Sequence, residues 1–131
     1  MKHCVFLDAN VLFSAAWLER SSLARLWNLP QAKLVTSRYA LAEAERNLET
    51  EEQRARLQRL VAALAFIDVP PLGALPTGVE LVGKDAPILL AAIEAGATHL
   101  LTGDRRHFGH LYGKSIKGLK ILTPASYLKS R

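Results

Sequence analysis

Short apolar runs alternate with helical segments along almost the whole chain, and this alternation is the feature that most constrains the fold. Residues 3–7 form a continuous apolar run of the kind that is buried on both faces of a parallel sheet. Parallel strands need crossover connections, which are usually helices. The alternation therefore predicts an α/β protein built on a parallel sheet.

Most of the predicted elements have a local start or stop signal. Ser37 is a suitable cap for the helix after the second strand, and Gly96 is a suitable end for the helix that contains Pro87 near its first turn. Residues 70–83 hold three prolines and three glycines, which indicates a loop with at most a short extended piece at 79–82. Strands are predicted at 3–7, 33–36, 66–69, 98–102 and 118–122, and helices at 10–17, 22–29, 37–48, 51–64, 84–95, 104–111 and 124–128.

Length and composition predict one soluble domain over residues 1–131. Half of the residues are apolar and 22% are charged, which is ordinary for a globular protein. No apolar stretch reaches the ~18 residues that cross a membrane, and no export signal is visible. The single cysteine, Cys4, permits no intrachain disulfide. We interpret it as a small apolar residue of a buried strand in a reduced, cytoplasmic protein.

Four acidic residues fall at the ends or starts of predicted elements. Asp8 and Asp104 each follow an apolar strand. Glu43 lies one to two turns into a helix, and Asp85 opens another. Carboxylates beside a core are costly unless they are paired or bound to a cation. Because open parallel sheets bind ligands beyond the carboxyl ends of their strands, four converging acids predict a divalent-metal site.

Each acid also has a local explanation. Asp8 and Asp104 are suitable caps for the helices that follow them, and the helix dipole favours Asp85 at a helix start. Glu43 is able to pair on the surface with Arg46. These explanations account for the residues separately, but they give no reason for four such placements in one chain.

The segment after Asp104 is basic throughout. It holds seven of the 17 Lys and Arg residues and no acidic residue. A basic segment beside an acidic site suggests attraction of a polyanion, with nucleic acid the first candidate, although a solvated basic face gives the same pattern. No Cys/His cluster has zinc spacing, and Mg²⁺ and Mn²⁺ prefer oxygen ligands, so Mg²⁺ or Mn²⁺ is the predicted cofactor. The candidate nucleic-acid contacts are Arg105, Arg106, His107, Lys114 and Lys117.

Several segments, which together cover nearly the whole chain, resemble the motifs of PIN-domain nucleases. The most specific are residues 5–12, Val-Phe-Leu-Asp-Ala-Asn-Val-Leu, and the Thr-Gly-Asp triplet at 102–104. The resemblance is closest to the toxin-like, VapC-type bacterial branch of that family. The other similar segments are residues 37–48, 85–92, 96–101, 106–108 and 121–124.

The resemblance implies a three-layer α/β/α sandwich with a parallel sheet of about five strands. It also implies a Mg²⁺- or Mn²⁺-dependent endoribonuclease, often the toxin of a type II toxin–antitoxin pair, with RNA as substrate and an antitoxin as partner. Homodimers are common in the family. Asn10 and Thr102 would orient carboxylates or water. The implied catalytic and metal-binding residues are Asp8, Glu43, Asp85 and Asp104.

Two details of the site stay open at this point. Glu45 is an alternative to Glu43 as the second acid. Many relatives have a further acid shortly before the position of Asp85, whereas Lys84 precedes it here, so one metal or two are both compatible with the sequence.

An antitoxin segment would lie in an apolar groove near residues 10–30 and 51–64. The candidate groove residues, for which core packing is the alternative role, are Trp17, Leu18, Leu26 and Trp27.

Two other functions compete with the nuclease interpretation. One is a catalytically idle PIN-fold module that binds RNA or protein without cutting. The other is a haloacid-dehalogenase-type phosphatase, in which Asp8 would form a covalent phosphoaspartate. Asn10 stands where that second family expects another acid, which disfavours it.

Overall fold

The structure, a computed structural model, describes residues 2–67 and 85–130, with side chains from residue 87 onward in the second stretch. The predicted loop at 70–83 lies outside the described residues. The same is true of residues 68 and 69 of the third predicted strand and of residue 84 of the predicted helix 84–95.

The described residues form one mostly parallel sheet with helices on its faces. Its strands are β1 (His3–Leu7), β2 (Ala32–Thr36), β3 (Ala65–Phe66), β4 (His99–Leu101), β5 (Ser115–Ile116) and β6 (Leu119–Leu122). Their order is β3-β2-β1-β4-β6-β5, and all neighbours are parallel except β5 and β6. The predicted α/β sandwich with about five parallel strands is confirmed.

The helices begin and end close to the predicted positions. They are α1 (Ala9–Trp17), α2 (Arg38–Asn47), α3 (Glu51–Val61), α4 (Asp85–Glu94), α5 (Arg105–Phe108) and α6 (Pro124–Lys129). The predicted α-helix at 22–29 is instead a 3₁₀ helix, Ser22–Asn28, a geometry frequent in short connecting helices. A second 3₁₀ turn, Gly109–Leu111, follows α5. Among the described helices, none has the length and apolar character needed to cross a membrane.

The predicted helix signals act as expected. The Ser37 hydroxyl accepts a hydrogen bond from the Ala40 N–H at 3.1 Å and so caps α2. Pro87 lies in the first turn of α4, where its missing N–H is not needed. Gly96 has a φ of 69°, the left-handed conformation that ends many helices.

The core is centred on β1, which pairs with β2 on one side and β4 on the other. Val5, Phe6 and Leu7 are completely buried, as predicted for a strand covered on both faces. Cys4 packs against this core, and burial raises the pKa of its thiol despite the charge of Lys33. A thiol with a raised pKa is a poor nucleophile, which agrees with a packing role.

The strand predicted at 118–122 is the second half of a hairpin that the sequence analysis missed. Lys117 and Gly118 connect β5 to β6, with Ile116 opposite Leu119. Both connecting residues have positive φ, 50° and 82°, as a two-residue hairpin turn requires. The signal was Gly118 shortly before the apolar run, but β5 is only two residues long and gives no detectable alternation.

Candidate functional site

A cleft of about 460 Å³ lies at the carboxyl ends of β1 and β4. Asp8 follows β1, and Gly103 and Asp104 follow β4, so the two strand ends form one side of the cleft. Helix α2 contributes Glu43 to the same cleft. The fold thus brings together three of the four predicted acids. The other lining residues are Ala9, Asn10, Phe13, Tyr39, Ala44, Asn47 and Ile88.

Asp8 is almost fully enclosed, with 4% of its surface exposed. Its Oδ1 accepts a hydrogen bond from the Ala9 N–H at 2.6 Å. Its Oδ2 accepts one from the Thr102 hydroxyl at 2.7 Å and one from the Asn10 amide at 3.4 Å. Asp8 therefore caps α1, as its local explanation predicts, and it also lines the cleft. The Asp8 carboxylate is thus an oxygen donor that hydrogen bonds orient at the edge of the cleft.

Asn10 and Thr102 join the segment after β1 to the segment after β4. The Asn10 amide donates to the Thr102 hydroxyl at 3.2 Å, and its carbonyl oxygen accepts from the Gly103 N–H at 2.7 Å. The Thr102 hydroxyl also accepts from the Asp104 N–H at 3.2 Å. These bonds hold the two strand-end acids in a fixed relation, which is what an orienting role at a metal site requires.

Asp104 is held by the helix that it caps. Its Oδ1 accepts from the His107 N–H at 3.1 Å, and its Oδ2 lies 2.8 Å from the His107 Nδ1. Burial acts to raise the pKa of the Asp104 carboxyl, but the hydrogen bonds and charge of His107 outweigh it and leave the pKa below its ordinary value of 3.8. Asp104 is therefore ionised at neutral pH and available as an oxygen ligand.

Helix α2 settles how its two glutamates are placed. Glu43 lines the cleft, is 17% exposed at its side chain and forms an ion pair with Arg46. Glu45 is not among the cleft residues, and its carboxylate accepts a hydrogen bond from Gln58 of α3 at 3.0 Å. The rotation of α2 about its axis thus directs the first glutamate, and not the second, toward Asp8.

The fourth predicted acid, Asp85, is the first residue of α4, but its side chain lies outside the described part of the structure. Ile88, one turn later in the same helix, lines the cleft. The start of α4 therefore lies close to the other three acids, and the metal role of Asp85 stays a prediction.

The donor chemistry of the cleft suits a hard cation, although the acids are not clustered tightly. Within residues 2–67 and 87–130, no three His, Cys, Asp or Glu side chains are close enough together to hold a metal ion jointly. Mg²⁺ usually takes only one or two carboxylates, and water or substrate phosphate supplies its other ligands. Carboxylate oxygens already oriented by hydrogen bonds, as in Asp8, fit that pattern.

The predicted nucleic-acid contacts do not all lie on one side of the sheet. Arg105 and Arg106 are exposed and directly follow Asp104. Lys114 is exposed beside the carboxyl end of β6, where its carbonyl accepts from the Ile121 N–H. Lys117 lies in the hairpin turn just before Leu119, at the amino end of β6. It is therefore at the end of the sheet opposite to the acids, which follow the carboxyl ends of the strands. His107 lies next to the cleft, and its Nδ1 already contacts the Asp104 carboxylate.

Two aromatic residues near the acids were missed by the sequence analysis. The Tyr112 hydroxyl donates to the Thr102 carbonyl at 2.9 Å, and burial, together with the charge of Asp104, raises the pKa of its phenol. The sequence offers no signal for this contact. Tyr39 lines the cleft from α2, and its spacing of four residues from Glu43 places both on one helix face, which was a readable signal.

The candidate groove for a partner is partly filled by the core. Leu26 is completely buried and so has the core-packing role that the sequence analysis gave as its alternative. Trp17 and Trp27 are partly buried against the core, and the Trp27 indole donates to the Leu60 carbonyl at 2.9 Å. Leu18 is 62% exposed. The described helices α1 and α3 pack on each other directly.

Comparison with known proteins identifies the fold. The sequence matches no known family and no curated protein. Among solved structures, the chain is similar to VapBC2 from Rickettsia felis, which was crystallised bound to a DNA fragment from its promoter. The TM-score is 0.65 at 18% sequence identity, over 92% of this chain and 98% of that chain. This likeness supports a PIN-like α/β fold.

Proposed function

We propose that this protein is a Mg²⁺- or Mn²⁺-dependent endoribonuclease of the PIN-domain type and the toxin of a type II toxin–antitoxin pair. One observation carries the proposal. Acids from distant parts of the chain, Asp8, Glu43 and Asp104, line one cleft at the carboxyl ends of parallel strands. The similarity of the fold to VapBC2 favours the same function.

The proposed cation site consists of Asp8, Glu43 and Asp104, with Asp85 as its fourth acid. A bound divalent cation neutralises a phosphodiester, lowers the pKa of water and stabilises the leaving oxygen. The protein's own contribution is orientation. Thr102 and Asn10 hold the Asp8 carboxylate, and the Asp104 carboxylate stays ionised because His107 lowers its pKa. Asp8 is thus oriented, and Asp104 ionised, as a cation ligand requires.

The basic surface beside the cleft would hold the RNA backbone. Arg105 and Arg106 are exposed immediately after Asp104, and Lys114 is exposed at the same edge of the sheet. Contacts of this kind supply affinity and little sequence information. Lys117, at the opposite edge, would reach only a substrate that extends across the sheet.

A silencing antitoxin is part of this proposal, because an unrestrained nuclease harms its own cell. VapBC2 is the comparison that supports such a partner. The exposed Leu18 at the end of α1 is the groove residue left available on the described surface. Homodimerisation is compatible with the same fold.

A catalytically idle PIN-fold module is the second candidate, and one observation favours it. In the described residues no three acids form a compact group, and Glu43 is already paired with Arg46. Calorimetric titration with Mn²⁺ near neutral pH separates the two candidates. The nuclease binds Mn²⁺ through the cleft acids, and the idle module does not.

The test of the nuclease is cleavage of labelled RNA by purified protein with Mn²⁺. We expect cleavage by the wild type, no cleavage with EDTA, and loss of cleavage in Asp104→Asn. Glu45→Gln is the matched control, since Glu45 lies outside the cleft and pairs with Gln58. Unchanged cleavage by Asp104→Asn, or cleavage that resists EDTA, would contradict the proposal. Cleavage of DNA of the same sequence, measured in parallel, gives the selectivity for RNA. Growth arrest when the protein is expressed in cells gives its toxicity.

A further inference from the structure

An exposed aromatic side chain stands in the acidic cleft. Among the described residues, two large apolar side chains are markedly exposed, Leu18 at 62% and Tyr39 at 40%. Leu18 lies outside the cleft, whereas Tyr39 lines it. Large apolar side chains left open to solvent inside a concave site often mark a ligand contact.

Helix α2 places Tyr39 about one turn before Glu43. Tyr39, Glu43 and Asn47 are spaced by four residues, and all three line the cleft. With a rise of 1.5 Å per residue, the Tyr39 and Glu43 backbone positions are about 6 Å apart along the helix axis. Phe13 and Ile88 also line the cleft. An apolar, aromatic wall is therefore continuous with the acidic part.

Hydrolysis of a phosphodiester gives no role to this wall. The phosphate, the cation and the attacking water are all polar, and although the Tyr39 hydroxyl is able to hydrogen-bond them, the faces of the aromatic rings are not. The neighbouring part of an RNA strand does have an apolar surface, namely the face of an unpaired base. Proteins commonly bind single-stranded RNA by stacking such bases on aromatic side chains.

We propose that Tyr39, in a cleft that Phe13 also lines, is a stacking subsite for one unpaired nucleobase next to the scissile phosphate. This inference rests on the nuclease function proposed above and adds to it a residue that selects the substrate. The volume of the cleft, about 460 Å³, falls in the range of sites that hold small ligands. A base inside a duplex has both faces covered and cannot occupy this wall without being unstacked.

The position of the wall favours a nucleobase over a protein side chain as the occupant. Tyr39 lies in the same cleft as Asp8, Glu43 and Asp104, so an occupant of the ring lies next to the proposed cation site. A nucleotide supplies both complementary parts in one unit: a flat face for Tyr39 and a phosphate for the cation.

The test measures RNA binding in the Asp104→Asn background, so that the strand stays intact. The probe is a short, unstructured RNA labelled with fluorescein, followed by anisotropy in the presence of Mn²⁺. We expect Tyr39→Ala to raise the Kd by about 5- to 150-fold, the effect of one lost base–aromatic stack. Tyr39→Phe keeps the stacking face and should stay within about 3-fold of the parent.

A series of RNAs with a single abasic nucleotide locates the contact. In the parent, one abasic position should raise the Kd about as much as Tyr39→Ala does. At that position Tyr39→Ala should lose nothing further, because the two changes remove the same interaction. A perfect duplex of the same sequence should bind the parent and Tyr39→Ala equally. Glu45→Gln, which changes a residue of the same helix that lies outside the cleft, is the control and should leave the Kd unchanged.

Three outcomes would overturn the subsite. They are an unchanged Kd in Tyr39→Ala, abasic effects that are the same with and without Tyr39, and loss of self-association in Tyr39→Ala without loss of RNA affinity. Wild-type cleavage of RNA combined with any of these leaves the nuclease proposal standing. If the wild type neither binds nor cleaves RNA, both proposals fail. Thermal unfolding of each variant verifies the fold, and Tyr39 is exposed enough for substitution to be tolerated.

Discussion

Asp8 and Glu43 line the same cleft, but the chain holds them in different ways. Asp8 follows the central strand, is 4% exposed and accepts hydrogen bonds from the Ala9 N–H and the Thr102 hydroxyl. Glu43 projects from a helix and pairs with Arg46, whose side chain is 67% exposed. One acid is fixed by buried bonds, and the other is held by a surface contact.

This difference indicates that Asp8 is the preorganised part of the site. A hydrogen bond to a charged group contributes about 1.5–3 kcal/mol, whereas an exposed ion pair contributes about 0–1 kcal/mol. Asp8 therefore keeps its position whether or not a cation is present. The ion pair with Arg46 contributes less to the position of Glu43, and we expect Glu43 to turn from Arg46 to the proposed cation.

The largest predicted effect follows directly from this contrast. Asp8→Asn should lower kcat/KM for RNA cleavage by at least about 100-fold, because no neighbouring acid is able to take its fixed position. Glu43→Gln should lower it by about 10-fold. The measurement is initial rates over a series of Mn²⁺ concentrations, with circular dichroism of each variant. A loss in Glu43→Gln as large as that in Asp8→Asn would break the contrast.

The bonds that fix Asp8 are tested by Thr102→Val, which removes one donor and keeps the shape of the side chain. We expect the Kd for Mn²⁺ to rise by about 10- to 100-fold in calorimetry. Thr98→Val is the control, since Thr98 hydrogen-bonds Cys4 at the other end of β4. It should reduce the melting temperature and leave the Mn²⁺ affinity unchanged. Equal Mn²⁺ affinity in both variants would show that Asp8 needs no such support.

The ion pair between Glu43 and Arg46 is tested by Arg46→Ala. Loss of this competing cation should lower the Kd for Mn²⁺ by about 1.5- to 5-fold, the free energy of an exposed ion pair. Arg54→Ala removes the same charge from α3, where Arg54 donates to the Leu48 carbonyl, and it controls for the change in net charge. Weaker Mn²⁺ binding in Arg46→Ala would mean that Arg46 positions Glu43 for the metal.

The smallest predicted effect is the contribution of ionised Asp104 to the stability of the metal-free protein. Because its pKa is lowered in the fold, ionised Asp104 stabilises the protein above its unfolded-state pKa, and this stability is lost as the pH falls through the folded-state pKa. Asp104→Asn should therefore have a lower urea midpoint than the wild type near neutral pH. The two midpoints should converge as the pH falls below about 3.8. A constant difference at all pH values would mean that His107 does not stabilise the ionised carboxyl.

The strand-end half of the site was predictable from sequence, and the helix half was not. A buried parallel strand fixes where its next residue lies, so Asp8 and Asp104 could be placed at one edge from the apolar runs before them. Glu43 and Glu45 are two residues apart on one helix. The packing of Ala40 and Ala44 in the core sets the rotation of α2, and that tertiary contact decides which glutamate enters the cleft.

The fold was predictable where local signals and burial agree, as at Ser37, Gly96 and the central strands. One predicted helix has a different geometry, and one strand was missed because it is too short to show a period. The 3₁₀ helix Ser22–Asn28 differs from an α-helix only in its tighter turns. Strand β5 has two residues and exists because Lys117 and Gly118 both adopt positive φ.

The hydrogen bond between Thr102 and Asp8 joins residues that are 94 positions apart in the chain. Contacts this distant in sequence form only after the chain between them has been made and has closed on itself. During translation, an emerging chain holds β1 and Asp8 long before it holds the loop that fixes them. The cleft that holds Asp8 and Asp104 therefore cannot form until the segment carrying Thr102 and Asp104 has emerged from the ribosome and folded. The activity proposed above would be absent from the nascent chain during that interval.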